Sequence, residues 1–316
     1  MALLDVRGLR VEFASRSGPL AAVEGLDLAV APGETLALVG ESGSGKSVAS
    51  MAVMGLLPAT ARVSGQALFE GEDLIAMPPA ELRRRRGSGI AMVFQEPMTS
   101  LNPVLTIGRQ LIEALPRVER ASRAAARGRA AELLASVGIT APESRLDEFP
   151  HQLSGGMRQR VMIAIALAGR PRLIIADEPT TALDVTVQAQ IVALLQSLQR
   201  DTGIAILLIS HDLALVRQMA GRVAVMYAGR KVEEAAAAAL FDRPGHPYSA
   251  GLIAAIPRLG GGREARLAEI PGAAPSLAER GPGCNFAPRC PMAAEVCATP
   301  PPATGIACHF RTEAAA

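Results

Sequence analysis

Two stretches of the chain combine residue types that handle phosphate. GESGSGKS, Gly40 to Ser47, fits the G-x-x-x-x-G-K-[ST] spacing, with the apolar run ETLALVG leading into it and a helical pattern following it. Glycines let successive backbone N–H groups turn inward around phosphate oxygens, so Gly40, Ser42, Gly43, Ser44 and Gly45 form a cradle. Lys46 is placed to reach the β- and γ-phosphates and Ser47 to ligate Mg²⁺, while the helix N-terminus adds its partial positive charge. The strand–loop–helix context speaks against a chance glycine turn. The second stretch is LIIADEP. Asp177 ends an apolar strand, where it can hold the metal through its water shell, and Glu178 follows, where it can orient and deprotonate an attacking water. Acidic pairs after strands are often plain turn residues, but the phosphate loop upstream favours the functional reading. Paired carboxylates beside a metal point to hydrolysis rather than to nucleotide sensing.

Two polar residues close other apolar runs. Gln95 ends IAMVFQ, where a carboxamide reaches Mg²⁺ or the attacking water, and His211 ends ILLISH, where an imidazole meets the γ-phosphate. Alone, each is an ordinary surface residue. Their value lies in sharing a sheet edge with the phosphate loop, where ligands of open α/β sheets collect.

The elements that must position these residues alternate. Strands are expected over 7–13, 21–30, 34–40, 89–95, 173–177, 204–210 and 222–229, with a helix from about Lys46 to Leu57 and helical patterns between most of the others. That rhythm implies a largely parallel sheet covered on both faces. Residues about 96–170 break it: mostly helical, with Pro97 and Pro103 early and stretches rich in arginine and alanine, they form a helical insertion. From about 231 the composition shifts to an alanine-rich helix, then glycines 260–262 and many prolines, as expected of a small loop-rich appendage.

The 316 residues suit one large α/β domain with an appendage or two small domains. A net charge of +2 and the absence of tryptophan argue against a dedicated nucleic-acid binder and against single-strand stacking platforms. The longest apolar runs, such as VMIAIALAG, fall short of the ~18–20 residues that span a bilayer. Asp5 and Arg7 interrupt the N-terminus where a signal peptide needs an apolar stretch, so a cytosolic protein is expected whose membrane role comes through a partner. The RRRR run at 83–86 and the arginines from Arg117 to Arg129 read as solvated faces, and His151, His246 and His309 as structural or surface residues.

All four cysteines, Cys284, Cys290, Cys297 and Cys308, fall near the C-terminus with the spacing C-x5-C-x6-C-x10-C. In a reducing compartment that clustering suggests metal or cluster ligation more than disulfides. The spacing matches neither a zinc ribbon nor a bacterial ferredoxin run, and leaves Zn²⁺, an iron–sulfur cluster and unligated cysteines open. One centre held by all four would staple a subdomain too poor in core to fold alone.

With GESGSGKS, Gln95, LSGGM, LIIADEP, ALD and His211 in this order, the chain resembles the nucleotide-binding subunit of an ABC transporter over about residues 3–235. The resemblance implies an α/β fold: a P-loop NTPase core of ABC type with an antiparallel β subdomain, a helical insertion and a cysteine-containing C-terminal extension. It also implies two such domains packed head to tail, each ATP lying between one chain's phosphate loop and the partner's signature loop. Carried over by position, Ser154, Gly155 and Gly156 would face the ATP bound by the partner, Asp184 would lie at the dimer seam, and Phe13 would stack on adenine. Phe13 taken alone is an ordinary strand residue. A second glycine pair at a helix start, in LSGGMRQRV, then has a use: it serves the other subunit's nucleotide. Met157 stands where most of the family has glutamine, and the nucleotide-facing Ser154 and Gly156 are intact.

FQEPMTSLNP (94–103), TTALDVTVQAQI (180–191), RPGHPYSAGLIAAIP (243–257), IPGAAPSL and GCNFAPRCP look like the oligopeptide/dipeptide-permease branch of these ATPases. That branch implies an ATP- and Mg²⁺-dependent importer subunit for short peptides, with relatives that move nickel or other small solutes. It implies two membrane permeases, a second and non-identical ATPase, an extracytoplasmic solute-binding protein, a place on the cytoplasmic face of the inner membrane, and a [4Fe–4S] cluster in the cysteine tail. The expected domains are 1–234 and 235–316. A soluble ABC-type ATPase of DNA repair or translation would carry long coiled-coil insertions or tandem ATPase domains, and a regulatory protein with a vestigial ATPase would lack hydrolytic residues; the chain shows neither pattern.

Overall fold

The computed structural model describes residues 1–16, 18–96, 100–181, 183–256, 269–302 and 305–310. Pro97, Ala182 of the ALD stretch, Pro257 and glycines 260–262 lie outside them. The chain divides into two compact units, Met1–Met77 with Leu208–Ala316, and Pro78–Leu207.

In the first unit, β1 (Leu4–Phe13), β2 (Leu20–Val30), β4 (Ala61–Phe69) and β5 (Glu72–Asp73) form an antiparallel sheet in the order β2-β1-β4-β5. Alternation buries Leu4 and Val6 of β1, slips at Arg7–Gly8, and resumes with Leu9 and Val11 buried. Gly8, at φ 55°, supplies the irregularity that keeps the apolar residues on the inner face. β4 gives no such signal: Ser64, Gly65 and Gln66 are exposed, and a Cβ on Gly65 would lie 2.5 Å from the Gly8 carbonyl oxygen. The strand is defined by close backbone pairing rather than by pattern.

The same unit holds a second set of strands. β3 (Thr35–Val39) is buried at every position and runs parallel to β9 (Arg222–Tyr227). β9 turns back into β10 (Arg230–Ala236) through Ala228 and Gly229, at φ 47° and 86°. Two consecutive residues with positive φ match the twist of a two-residue hairpin. The alanine-rich helix expected from about 231 is therefore a strand as far as Ala236, because cross-strand pairing overrides helix propensity there. Only α9 (Ala237–Asp242) is helical. The other helices of this unit are α1 (Lys46–Val53), α8 (Leu213–Met219) and α10 (Pro247–Ala254). α1 stops short of the expected Leu57 because Gly55, at φ 59°, takes the left-handed conformation that ends helices. Beyond α10 the described tail is loop-rich, with short turns at Ala287–Arg289 and Glu295–Ala298, and Phe286 packs against Tyr227 and Tyr248 at ring distances of 5.2 and 5.4 Å.

In the second unit, β6 (Ile90–Val93) follows α2 (Pro79–Ser88) and runs parallel to β7 (Leu173–Asp177), whose five residues are all buried. Between the two strands lie α3 (Ile107–Ala114), α4 (Arg123–Ser136), α5 (Pro142–Arg145) and α6 (Gly155–Leu167), the expected helical insertion. α7 (Val185–Thr202) follows β7, and β8 (Ala205–Ser210), buried throughout, carries the chain from this unit into the other. Among the described residues, no helix is long and apolar enough to cross a membrane.

Candidate functional site

The phosphate loop closes on itself in the first unit. Gly40, Gly43 and Gly45 have φ of 151°, 75° and 103°, a region that other residues occupy only under strain. A Cβ on Gly40 would run into the Met226 carbonyl oxygen, and one on Gly45 would lie 2.7 Å from that of Ala22. The loop can approach its neighbours, and curve its N–H groups inward, only without side chains at these two positions. Gly45 leads into α1, whose first residue, Lys46, is 5% exposed. Its ammonium donates to the carbonyls of Gly40 (2.7 Å) and Glu41 (2.9 Å) and to Ser44 Oγ (3.3 Å), so the cation is held over the loop. Ser42 and Gly43 are exposed on the outer turn, Ser44 is buried, and Ser47 sits half-buried in the first turn of α1. The curvature and the placed cation suit a polyphosphate.

The carboxylates lie in the second unit. Asp177, the last residue of β7, is 5% exposed. Glu178 follows at φ 47°, a left-handed conformation unusual outside glycine. Its Oε2 accepts from Gln95 Nε2 at 2.8 Å and from Thr181 Oγ1 at 2.9 Å. Gln95 was expected at a strand end and instead lies two residues beyond β6, on an exposed turn. The extra reach brings its amide to Glu178. Thr181 was missed: its hydroxyl fixes the same carboxylate oxygen, and its only signal is its place three residues after Glu178. Two donors on one oxygen fix the orientation of the carboxylate. An acidic residue held this way at a sheet edge can act as a general base.

LSGGM behaves as a helix start. Ser154 caps α6, its Oγ accepting from the Met157 N–H at 3.3 Å, and both Ser154 and Gly155 are exposed. Any residue but proline at position 157 offers that N–H, so methionine leaves the cap intact. A Cβ on Gly156 would lie 2.7 Å from Val187 Cγ1 of α7. Asp184, also exposed, caps α7 by accepting from the Val187 N–H at 2.9 Å. The second unit thus brings the signature glycines against the residues just after the carboxylates. Val187 was not singled out in the sequence.

Residues 23–181 match the ABC transporter family, and residues 232–297 match the oligopeptide/dipeptide transporter C-terminal region. The chain belongs to the ABC transporter family. It is 51% identical over 298 residues to the dipeptide transport ATP-binding protein DppD of Haemophilus influenzae, covering 94% of this chain and 90% of the relative. It is 49% identical over 318 residues to DppD of Escherichia coli, covering 98% and 97%. Against the oligopeptide transport ATP-binding protein OppD of Escherichia coli it is 49% identical over 301 residues, covering 95% and 89%. Among solved structures, it resembles the dimeric ATP-binding cassette MJ0796 in a post-hydrolysis state bound to ADP and Pi. That likeness has a TM-score of 0.65 and 28% identity, over 74% of this chain and 98% of that one.

Two further expected residues of this ABC chain lie in its first unit. Phe13 is half-buried at the end of β1, where its partners are Leu20 and Ala61. His211 is exposed, directly after β8.

The cysteines of this ABC chain meet their expectation only in their gathering. All four line one small enclosed cavity of about 10 Å³, together with His246, Phe286 and His309. All four are free thiols. Cys290 and Cys308 accept backbone N–H groups of Met292 and Phe310, both at 3.4 Å. Burial pushes the Cys284 and Cys290 thiols up, and the sulfurs of Cys297 and Cys308 push the same way. A bound cation would reverse that trend. Yet among the described residues no three His, Cys, Asp or Glu side chains are placed to hold a metal ion. The thiols are gathered but not arranged as a ligand set.

Proposed function

We propose that the chain is the ATP-hydrolysing subunit of an importer for di- and oligopeptides. The observation that carries this reading is the extent of the likeness. Alignments at about half identity extend across the ATPase core and the C-terminal region together, to relatives named for dipeptide or oligopeptide transport. In this reading the ATP-binding domain is 1–234, with its helical insertion at about 96–170, and 235–316 is the extension. Gly40, Ser42, Gly43, Ser44, Gly45 and Lys46 bind the phosphates, and Phe13 stacks on adenine. Ser47, Gln95 and Asp177 hold Mg²⁺, Glu178 is the general base, and His211 contacts the γ-phosphate. Ser154, Gly155, Gly156 and Asp184 serve the nucleotide of a homologous, non-identical ATPase partner. Binding of two ATP molecules closes that head-to-tail dimer and hydrolysis reopens it. Two membrane permeases follow through the helical insertion, at the cytoplasmic face of the inner membrane, and an extracytoplasmic binding protein delivers the peptide.

The extension adds a metal centre to this proposal: Cys284, Cys290, Cys297 and Cys308, gathered at one cavity, would hold a [4Fe–4S] cluster, with Zn²⁺ as the alternative, once their side chains turn into a ligand set that they do not form here. Its support is their shared cavity and the N–H groups directed at sulfur. Stoichiometric iron and sulfide in anaerobically purified protein would uphold the cluster, and zinc the alternative; absence of both removes the centre. The transport reading is tested by purifying the chain from native membranes and reconstituting what accompanies it. Co-purified permeases and ATP-driven uptake of a labelled dipeptide uphold the proposal. Uptake of Ni²⁺ without peptide, or recovery with ribosomes or DNA, overturns it.

A further inference from the structure

The C-terminal extension grips the phosphate loop. Glu41, directly after Gly40, carries a carboxylate inside a loop shaped for anions. Arg289, far along the chain in the turn before Cys290, meets it with both ends of its guanidinium: Nη1 to Oε2 at 2.7 Å and Nη2 to Oε1 at 3.0 Å. The arginine side chain is only 7% exposed. Its remaining N–H groups go to Tyr227 Oη (3.2 Å), the Pro271 carbonyl (2.8 Å) and the Ile270 carbonyl (3.3 Å), so all five donors of the fork are used. Two other residues of the extension reach the same loop. Tyr248 Oη accepts the Glu41 N–H at 2.8 Å, and Arg280 Nη2 donates to the Gly43 carbonyl at 3.1 Å.

We propose that Arg289 is a positioning residue for ATP hydrolysis, which neutralises and fixes Glu41 so that the phosphate loop can accept a polyanion. The proposal rests on the reading of Gly40–Ser47 as the ATP-phosphate site. An uncompensated carboxylate in the loop would repel phosphate oxygens and compete for the Lys46 ammonium, which already contacts the Glu41 carbonyl. Arg289 removes that charge from the anion's view and, being bound on every side, holds the carboxylate away from the cradle. A lysine in its place keeps the charge but loses the fork.

The test is steady-state ATP turnover by the full-length chain in its assembled transporter, with thermal midpoints measured alongside. Arg289→Met is expected to raise the KM for ATP about tenfold, by leaving Glu41 bare. Glu41→Gln in the same chain is expected to return the KM of the double variant to within about twofold of wild type, because it deletes the charge that Arg289 offsets. Arg289→Lys should fall between. If Arg289 only packs the extension, Arg289→Met lowers the thermal midpoint and leaves the KM of the folded fraction unchanged, and that result overturns the proposal. A double variant no better than Arg289→Met alone overturns it as well. The Glu41→Gln variant changes the loop and not the tail, so its rescue of KM can be read even where the tail is destabilised. Failure of the underlying reading looks different: wild-type chain would then show no ATP turnover at all.

Discussion

Gln95 Nε2 donates to Glu178 Oε2 at 2.8 Å, tying together the ends of two parallel strands from opposite sides of the helical insertion. A displacement of the insertion that moved Gln95 would therefore pull on the carboxylate proposed as general base. Glu178→Gln keeps an oxygen to accept from Gln95 and Thr181, so the geometry survives while the base is lost. Turnover should fall by about 10²–10⁴-fold with ATP binding intact. Phosphate release and nucleotide binding, measured on the same preparation, check this; near-wild-type hydrolysis would remove Glu178 from the role.

The loop glycines are not equivalent. A Cβ on Gly40 meets the Met226 backbone, which cannot move without disturbing β9, whereas a Cβ on Gly43 meets nothing within 4 Å. Gly43→Ala then carries only the strain of its left-handed backbone, about 1–2 kcal/mol. Gly40→Ala should abolish ATP binding and lower the thermal midpoint far more than Gly43→Ala does. Equal losses from both would mean that backbone angle, not space, decides.

What the sequence made legible follows from where short-range chemistry decides the structure. The strand, glycine turn and helix around GESGSGKS and the buried strand of LIIADEP were legible because such elements are local events. β4 was missed because Ser64, Gly65 and Gln66 break its alternation, and its pairing with β1 is visible only once both backbones are placed. The stretch after Arg230 misled because alanines favour helix locally, while the Ala228–Gly229 turn commits them to a hairpin. Arg289 was hidden among cysteines: nothing short-range links it to Glu41. Val187 was passed over for the same reason, since its contact with Gly156 joins two helices far apart in the chain; Thr181 lies only three residues from Glu178, but the left-handed backbone at Glu178 that brings them together carries no residue-type signal.

Asp184 does two jobs that a pair of substitutions separates. As the cap of α7 it accepts from the Val187 N–H, and its loss to alanine should cost about 0.5–2 kcal/mol. Asparagine caps as well as aspartate, so Asp184→Asn should keep the thermal midpoint of wild type. If the carboxylate also works at the proposed dimer seam, Asp184→Asn lowers ATP turnover with stability unchanged. Unchanged turnover together with the expected loss in Asp184→Ala would confine the residue to capping.

Gly156 and Val187 give a prediction about packing that is independent of nucleotide. A methyl on Gly156 would sit 2.7 Å from Val187 Cγ1, closer than carbon atoms approach without displacement. A β-branched side chain on a helix has one strongly preferred rotamer, so Val187 cannot swing aside cheaply. Gly156→Ala should destabilise the chain by about 1–3 kcal/mol, as overpacking does, despite the better helix propensity of alanine. Val187→Ala removes the obstructing methyls, so the double variant should recover most of the loss in chemical denaturation. The two effects must be non-additive because the side chains share one space. If the losses simply add, the stability cost of a methyl at Gly156 comes from something other than Val187. Turnover of the double variant then separates the roles: restored stability with ATPase still abolished assigns Gly156 to the nucleotide, and joint recovery assigns it to the packing of α6 on α7.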